Sequence, residues 1–277
     1  MSIAINTNVN SLLAQDYLTN NQNGLSQALN RLSSGHRIND AKDDAAGLAV
    51  AQIMQENSTA LRQGSRNAND GISLVQTAQS AMNDTLNILQ RMRELADQGA
   101  NGVYSTADST NLDAEFQKLN KEIERVASSV NFNGISLLNN STGSLSIQVG
   151  TSNTSNDVLS ISLTNTTTGT SGLNIAGASV SDNTTASAAL ATVDTAIQKV
   201  TTGLAVLGAG EANLEAAVQG NDAIATDLES AKSRIMDTDF AAESGNLAKF
   251  NILNQSNVAM LAQANSSPQL VLQLLRQ

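Results

Sequence analysis

The chain has 277 residues, a formal net charge of −10, no cysteine or tryptophan and a single histidine. These counts exclude disulfides, thiolate metal sites and two-histidine zinc motifs, and an acidic chain without a basic tract is a poor nucleic-acid binder. A catalytic triad would have to use His36, which has no G-x-S-x-G motif nearby, so we expect no enzymatic activity and no cofactor.

The N-terminal region predicts a helix with one apolar stripe. It lacks the basic and apolar regions of a secretory signal peptide, and no run of the sequence is apolar for long enough to span a membrane. The stripe residues recur at helical spacing. They are Ile5, Val9, Leu12, Leu13, Leu25, Leu29 and Leu32.

A polar break follows this first helix. Gly35 is suited to a left-handed helix cap, and the two serines before it disfavour continuation of the helix. Asp40, Asp43 and Asp44 then lie near the positive N-terminal end of a second helix, where carboxylates are stabilising. The double aspartate, Asp43 and Asp44, is therefore interpreted as a pair of capping and contact groups rather than as catalytic acids. His36 lies in the break, as a linker residue or, alternatively, as a proton sensor.

Two central helices are predicted by apolar residues at heptad spacing. Val75, Met82, Leu89 and Ala96 are seven residues apart, and GANGVYSTADS ends this pattern. In the next helix the gaps between apolar residues alternate between four and three. These residues are Leu112, Phe116, Leu119, Ile123, Val126 and Val130. Such stripes need partner helices, because one stripe cannot bury itself.

The interval from Arg125 to Lys199 has no basic residue between its ends and is rich in Ser and Thr. SLSIQVG and DVLSISLT alternate apolar and polar residues, which predicts the two strands of a hairpin. The later TNTTTGTSGLNIAGASVSDNTTAS has turn composition and little to bury. It is expected to be an exposed, loop-rich tip.

A long C-terminal helical region is predicted from apolar residues at gaps of three and four, beginning at Leu190. Residues 250–275 carry no charged side chain, and residues 1–30 carry only Asp16. Uncharged amides tolerate burial far better than ions do. The two ends are therefore expected to be buried in an assembly, the alternative being disordered tails.

Several long motifs resemble, in order, those of bacterial flagellin, over roughly residues 1–150 and 185–277. They include LSSGHRINDAKDDAAGLAVAQIM, SRNANDGISLVQTAQSAMN, LQRMRELADQGAN, FNGISLL, AKSRIMDTDFAAES and NVAMLAQANSSPQLVLQLLR. The resemblance implies a short flagellin without large outer domains. Its fold would be mainly α, with long antiparallel helices in a coiled-coil-like bundle, a small β-hairpin region and paired N- and C-terminal helices.

The resemblance also implies a domain organisation. Residues 1–42 and 237–277 would form a terminal-helix core domain. Residues 43–236 would form a helical spoke domain with a β-hairpin and a loop-rich tip near residues 139–186.

The implied function is that of a structural subunit that self-assembles into the helical flagellar filament for motility. It would be exported by the flagellar type III apparatus and would be extracellular. Its partners would be further copies of itself, an export chaperone, and the filament cap and hook-junction proteins. Two alternatives remain open: a hook–filament junction protein, and a secreted adhesive or binding module on a flagellin-like scaffold.

Two sets of site residues follow from the resemblance. Arg91, Leu95 and Glu115 would contact Toll-like receptor 5, unless Leu95 belongs to the helix seam and Arg91 is a solvated flank. The other set is a polymerisation core formed by the apolar residues of both ends. It consists of Ile5, Val9, Leu12, Leu13, Leu25, Leu29, Leu32, Val258, Leu261, Leu270, Val271, Leu274 and Leu275.

Overall fold

The computed structural model describes residues 7–139, 143–152 and 154–274, with side chains described up to residue 267. In this part of the chain the fold is mainly α, as predicted. The helices are α1 (Val9–Ser34), α2 (Ala45–Gly99), α3 (Thr106–Ser129), α4 (Asn183–Met236) and α5 (Phe240–Leu274). The strands are β1 (Asn131–Phe132), β2 (Ile135–Ser136), β3 (Ser144–Gln148) and β4 (Val158–Ser162).

The chain divides into two compact units. One consists of the two ends, Met1–Glu56 and Asp227–Gln277, and the other is Asn57–Thr226. Helices α2 and α4 contribute residues to both units. The predicted domain limits, after residue 42 and before residue 237, lie in the α1–α2 and α4–α5 connections rather than at this division, and they stay a proposal.

The central unit is built on the predicted heptad seams. Val75, Met82, Leu89 and Ala96 of α2 are fully buried in one apolar cluster, together with Phe116 of α3 and further residues of α4. Polar side chains also join the helices: the Glu211 carboxylate of α4 accepts hydrogen bonds from Gln76 and Gln79 of α2. The prediction of a coiled-coil-like bundle of long helices is confirmed.

The predicted hairpin is also present. Strands β3 and β4 pair antiparallel, with Ile147 opposite Leu159. A second, shorter hairpin joins β1 and β2 through a two-residue turn, Asn133–Gly134, in which both residues have positive φ angles of 49° and 81°. Asn-Gly is the preferred sequence for such turns.

The Ser/Thr-rich segment after β4 differs from its predicted exposure. Leu173, Ile175 and Val180 are buried in the apolar cluster, so the expectation of little to bury is wrong. Polar groups of α3 hold the segment in place: the Glu124 carboxylate accepts bonds from the Thr168 backbone N–H and hydroxyl, both at 2.8 Å, and the Asn120 amide donates to the Ile175 carbonyl. The prediction failed because these apolar residues follow no helical or strand period.

Helix α1 ends at Ser34 and is capped by Gly35, as predicted. Gly35 has a φ angle of 74°, and its N–H donates to the Arg31 carbonyl at 2.9 Å. Helix α2 begins at Ala45, with the Asp44 carboxylate accepting from the Gly47 N–H at 2.8 Å, so the predicted capping role of Asp44 is confirmed.

Replacing Gly35 with alanine is expected to lower the free energy of unfolding by about 1–2 kcal/mol, because an L-residue is strained in the left-handed conformation. Nothing lies within 4 Å of a Cβ built at Gly35, so strain is the only cost. Gly245→Ala is the matched control, because Gly245 lies inside α5 in equally open space. It should stabilise by roughly 0.5–1 kcal/mol. Denaturant unfolding followed by circular dichroism measures both, and changes of the same sign would contradict the cap assignment.

Candidate assembly surface on the terminal helices

Helices α1 and α5 pack against each other through small side chains. Ser11, Ala14 and Ala28 of α1 are buried, and a Cβ added at Gly24 would lie 2.6 Å from the Phe250 ring of α5. Small residues allow two helices to approach closely. The predicted pairing of the N- and C-terminal helices is therefore confirmed, and it uses little of the large apolar surface.

Most of the large apolar side chains of the pair are about half exposed to solvent. Leu12 is 53% exposed, and Val258 is 56% exposed. Val9, Leu13 and Leu29 are also exposed, whereas Leu25, Leu32 and Leu261 are half-buried. Ile5, Leu270, Val271, Leu274 and Leu275 belong to the same predicted set, but their side chains lie outside the described residues.

A groove between the two helices adds to this surface. It has a volume of about 460 Å³ and is lined by Leu13, Tyr17, Asn257 and Met260, among others. Within the described part of the chain, buried amide atoms of Asn254 and Asn257 have no hydrogen-bond partner. Unpaired buried amide atoms are costly, so this part of the helix pair is not optimised for the stability of the monomer. The groove and the exposed leucines form what we call the terminal surface.

Polar contacts fix the register of the two helices. Pro268 lies within α5 and has no backbone N–H, so the Ala264 carbonyl lacks its usual intrahelical donor. The side-chain amide of Asn8 supplies a donor at 2.7 Å, while its Oδ1 caps α1 by accepting from the Ser11 N–H. Near the other end of α1, Arg31 lies 3.9 Å from the largely buried carboxylate of Glu243.

We expect Asn8→Ala to lower the free energy of unfolding by about 1–2 kcal/mol, because it removes both a helix cap and a bond between helices. Asn8→Asp separates the two effects: its carboxylate still accepts from the Ser11 N–H but cannot donate to Ala264. It should therefore destabilise as well. If Asn8→Asp unfolds with the same denaturant midpoint as the wild-type chain, the hydrogen bond to Ala264 contributes nothing to stability.

The two connections beside this helix pair form a short bridge. The Arg37 N–H donates to the Met236 carbonyl, and the Thr238 N–H donates to the Gly35 carbonyl. His36 Nδ1 lies 3.3 Å from Asp237 Oδ1, and both side chains are about half exposed. His36 is thus a linker residue with an acidic partner, and proton sensing by His36 stays a hypothesis.

Asp43 organises the turn before α2. Its carboxylate accepts hydrogen bonds from the Asn39 and Asp40 backbone N–H groups at 3.2 Å each. These bonds stabilise the ionised form, so they hold the pKa of Asp43 below its ordinary value.

The three predicted receptor residues do not form one exposed patch. Arg91 donates to Glu115 and Glu94 at 2.9 Å, and these ion pairs raise its pKa. Arg91 and Glu115 are both about half exposed. Leu95, however, is only 1% exposed and lies in the apolar cluster, so it presents no surface to a partner in the folded chain.

Among the described residues, no three His, Cys, Asp or Glu side chains are grouped closely enough to hold a metal ion. Within the same part of the chain, no helix combines the length and apolar character needed to cross a membrane.

Comparison with known proteins gives consistent matches at both ends. Residues 5–143 match the bacterial flagellin N-terminal helical region, and residues 190–275 match the bacterial flagellin C-terminal helical region. A flagellin of Listeria innocua is 42% identical over 98% of this chain and 99% of its own length. A flagellin of Halalkalibacterium halodurans is 41% identical, with the same coverage of each chain.

Solved structures agree with these matches. The crystal structure of Bacillus cereus flagellin has a TM-score of 0.50 and 33% identity, and it covers 56% of this chain and 88% of that one. The structure of a putative flagellar hook-associated protein from Vibrio parahaemolyticus has a TM-score of 0.58, covering 70% of this chain and all of that one. At 13% identity, this second likeness concerns the fold alone.

Proposed function

Because this chain belongs to the bacterial flagellin family, we infer that the terminal surface carries the contacts through which it polymerises. The chain is a structural subunit of the flagellar filament, a secreted, extracellular structure used for motility. The hook-junction and adhesive alternatives have no observation that favours them over this function. A structural family also agrees with our proposal that the chain has no enzymatic activity.

The observation that supports the terminal surface is the pattern of burial in the α1–α5 pair, in which small side chains are buried and large apolar side chains are exposed. Small residues such as Ala14 and Ala28 are buried, while Leu12 and Val258 remain about half exposed. The exposed half of each large side chain contributes nothing to the monomer. Full burial of such a side chain is worth roughly 1.5–3 kcal/mol, so burying the remaining half would add about half of that per residue. Burial against neighbouring subunits would use this free energy for assembly instead of folding.

The composition of the two ends fits the same proposal. Leaving aside Asp16, their polar face up to residue 30 and from residue 250 to residue 275 is uncharged. Packing many copies of a charged face would require desolvating many ions, at several kcal/mol each. Amide and hydroxyl groups can exchange water for hydrogen bonds with a neighbouring subunit at much lower cost.

The direct test is polymerisation of the purified full-length chain, followed by sedimentation and negative-stain electron microscopy. Filaments that grow from short filament seeds, and whose yield rises above a threshold subunit concentration, are expected. A chain that stays monomeric at every concentration with seeds present would overturn the proposal.

Further partners are proposed on family grounds. The C-terminal apolar residues Leu270, Val271 and Leu274 would dock as a helix into the groove of an export chaperone, and filament cap and hook-junction proteins would contact the polymer ends. Chaperone docking and polymerisation would then compete for the same residues, so a bound chaperone should delay filament growth.

Toll-like receptor 5 is proposed as a host partner through Arg91 and Glu115, with Leu95 supporting the helix from inside. A receptor must compete with the ion pairs that Arg91 already makes to Glu94 and Glu115. Asp97, two residues beyond Leu95, adds a negative charge that weakens this surface. We therefore propose weak to moderate recognition of the monomer and little of intact filaments, in which neighbouring subunits would cover the surface.

We expect Arg91→Ala to lower receptor-reporter signalling by the monomer roughly tenfold, the effect typical of losing an interface arginine. Arg125→Ala is the matched control, because Arg125 is also exposed and pairs with a glutamate three residues away, Glu122. It should leave signalling unchanged. Equal signalling by monomer, filament and Arg91→Ala would exclude this surface as the receptor site.

A further inference from the structure

The sequence contains three Asn-Gly dipeptides: Asn23–Gly24, Asn101–Gly102 and Asn133–Gly134. In such a pair the backbone nitrogen of glycine can attack the side-chain amide carbon of asparagine, because glycine has no Cβ to hinder the approach. The three pairs lie in a helix, an open loop and a tight turn. From these environments we infer that Asn101 is the site at which the native chain deamidates.

Asn23–Gly24 is held by its helix. Both residues lie inside α1, where each backbone N–H donates to the carbonyl four residues earlier. The space beside Gly24 is filled by the Phe250 ring of α5. The Gly24 nitrogen cannot turn towards Asn23 Cγ unless α1 opens locally and separates from α5.

Asn133–Gly134 is held by its turn. Both residues have left-handed backbone angles, and Phe132 pairs with Ile135 immediately outside them. For the attack, the peptide unit between Asn133 and Gly134 must turn so that its nitrogen faces Asn133 Cγ. The two-residue turn fixes the backbone torsions on both sides of this unit and prevents that rotation. Reaction there requires the β1–β2 hairpin to open, although both residues are exposed.

Asn101–Gly102 has no comparable restraint. It lies between the end of α2 at Gly99 and the start of α3 at Thr106, and both residues are exposed. The Asn101 N–H donates to the Gln98 carbonyl. In the described part of the chain, however, neither the Asn101 side-chain amide nor the Gly102 N–H has a hydrogen-bond partner. A Cβ built at Gly102 would meet no atom within 4 Å, so this backbone has room to rotate.

The reaction needs only solvent water. The Gly102 nitrogen bonds to Asn101 Cγ while the Cγ–Nδ2 bond breaks, and the Gly102 proton leaves with Nδ2 as ammonia. Water then opens the resulting succinimide ring at either carbonyl, which leaves aspartate or isoaspartate. The chain consumes one water, releases one ammonia and gains one negative charge.

The new carboxylate appears at a position that disfavours it. Asn101 follows the C-terminal end of α2, where the free carbonyl groups concentrate negative charge. The preceding carbonyl, that of Ala100, accepts a hydrogen bond from the Asn183 side chain at the start of α4.

The reaction has an implication for filaments, which rests on the proposed function. The fraction of subunits converted at Asn101 would rise with the time since each subunit was exported.

The test incubates the purified full-length chain at mildly alkaline pH and follows each Asn-Gly site by peptide mapping, with mass spectrometry to detect the one-dalton gain. Native chain should convert Asn101 many-fold faster than Asn23 and Asn133. In concentrated urea, which removes the helix and the turn, the three sites should react at similar rates. Because the monomer is assayed, the result does not depend on whether the chain polymerises.

Gly102→Ala supplies the matched variant. Its Cβ fits the open loop, so circular dichroism and the unfolding transition should not change, but conversion of Asn101 should slow roughly tenfold because the Cβ hinders the attack. Equal native rates at Asn101 and Asn23 would overturn the inference. So would an unchanged rate at Asn101 in Gly102→Ala.

Discussion

Replacing Leu89 with aspartate is expected to lower the free energy of unfolding by about 4–5 kcal/mol, or to prevent the central unit from folding. Leu89 has no exposed surface and lies on the α2 seam with Val75 and Met82. The substitution removes a large apolar side chain from a close-packed core and places a carboxyl group there without a partner. Both effects oppose folding.

The destabilisation should depend on pH in a defined direction. Burial without a partner raises the pKa of the introduced aspartate above its value in the unfolded chain. The protonated form is therefore favoured by folding, and the loss of stability is smallest below the unfolded pKa of about 4. The loss increases as the pH rises through the folded pKa. Denaturant unfolding of Leu89→Asp at acidic and neutral pH measures this difference.

Gln90→Asp is the control, because Gln90 is the next residue on the same helix and is exposed. Substitutions at such positions usually change stability by less than about 0.5 kcal/mol. If Gln90→Asp and Leu89→Asp lower the free energy of unfolding by the same amount, the seam has been assigned to the wrong face of α2.

The central helices could be predicted from the sequence because one physical signal determines them. Val75, Met82 and Leu89 repeat every seven residues, and only a helix places such residues on one face. The segment containing Leu173 and Ile175 lacks any such signal. Its burial depends on hydrogen bonds from α3, such as that of Asn120, which no local pattern encodes.

The terminal surface was only partly predictable. Spacing identified the apolar residues of α1, but a single stripe can be buried either by a partner helix of the same chain or by another subunit. The structure resolves this for the described residues: Ala14 and Ala28 are buried in the monomer, while Leu12 stays about half exposed. The same ambiguity applied to Leu95, whose position fitted both the seam and the proposed receptor surface.

The register contact between Asn8 and Ala264 could have been found but was missed. A proline inside a predicted helix leaves the carbonyl four residues earlier without a donor, so Pro268 already indicated that Ala264 needed a partner. The identity of that partner could not be read from the sequence, because Asn8 and Ala264 are 256 residues apart. Such pairs become visible only once the two terminal helices are placed side by side.

Replacing Leu12 and Val258 together with glutamine is expected to abolish filament growth at concentrations where the wild-type chain polymerises. Both side chains are more than half exposed, so unfolding monitored by circular dichroism should change little. Because each side chain is already about half buried in the monomer, burying the rest in the polymer is worth about 1.5–3 kcal/mol per subunit for the two together. The threshold concentration for polymerisation should then rise roughly 10- to 100-fold.

A second variant is needed to separate location from a general loss of apolar surface. Val103→Gln removes an apolar side chain that is 79% exposed but lies in the loop between α2 and α3, away from the terminal helices in the sequence. It should polymerise at nearly the wild-type threshold. Sedimentation at increasing concentration, with electron microscopy of the pellets, measures all three chains. Filaments from the Leu12/Val258 double variant at the wild-type threshold would show that assembly does not bury these two residues, because no compensating contact is created by glutamine at either position.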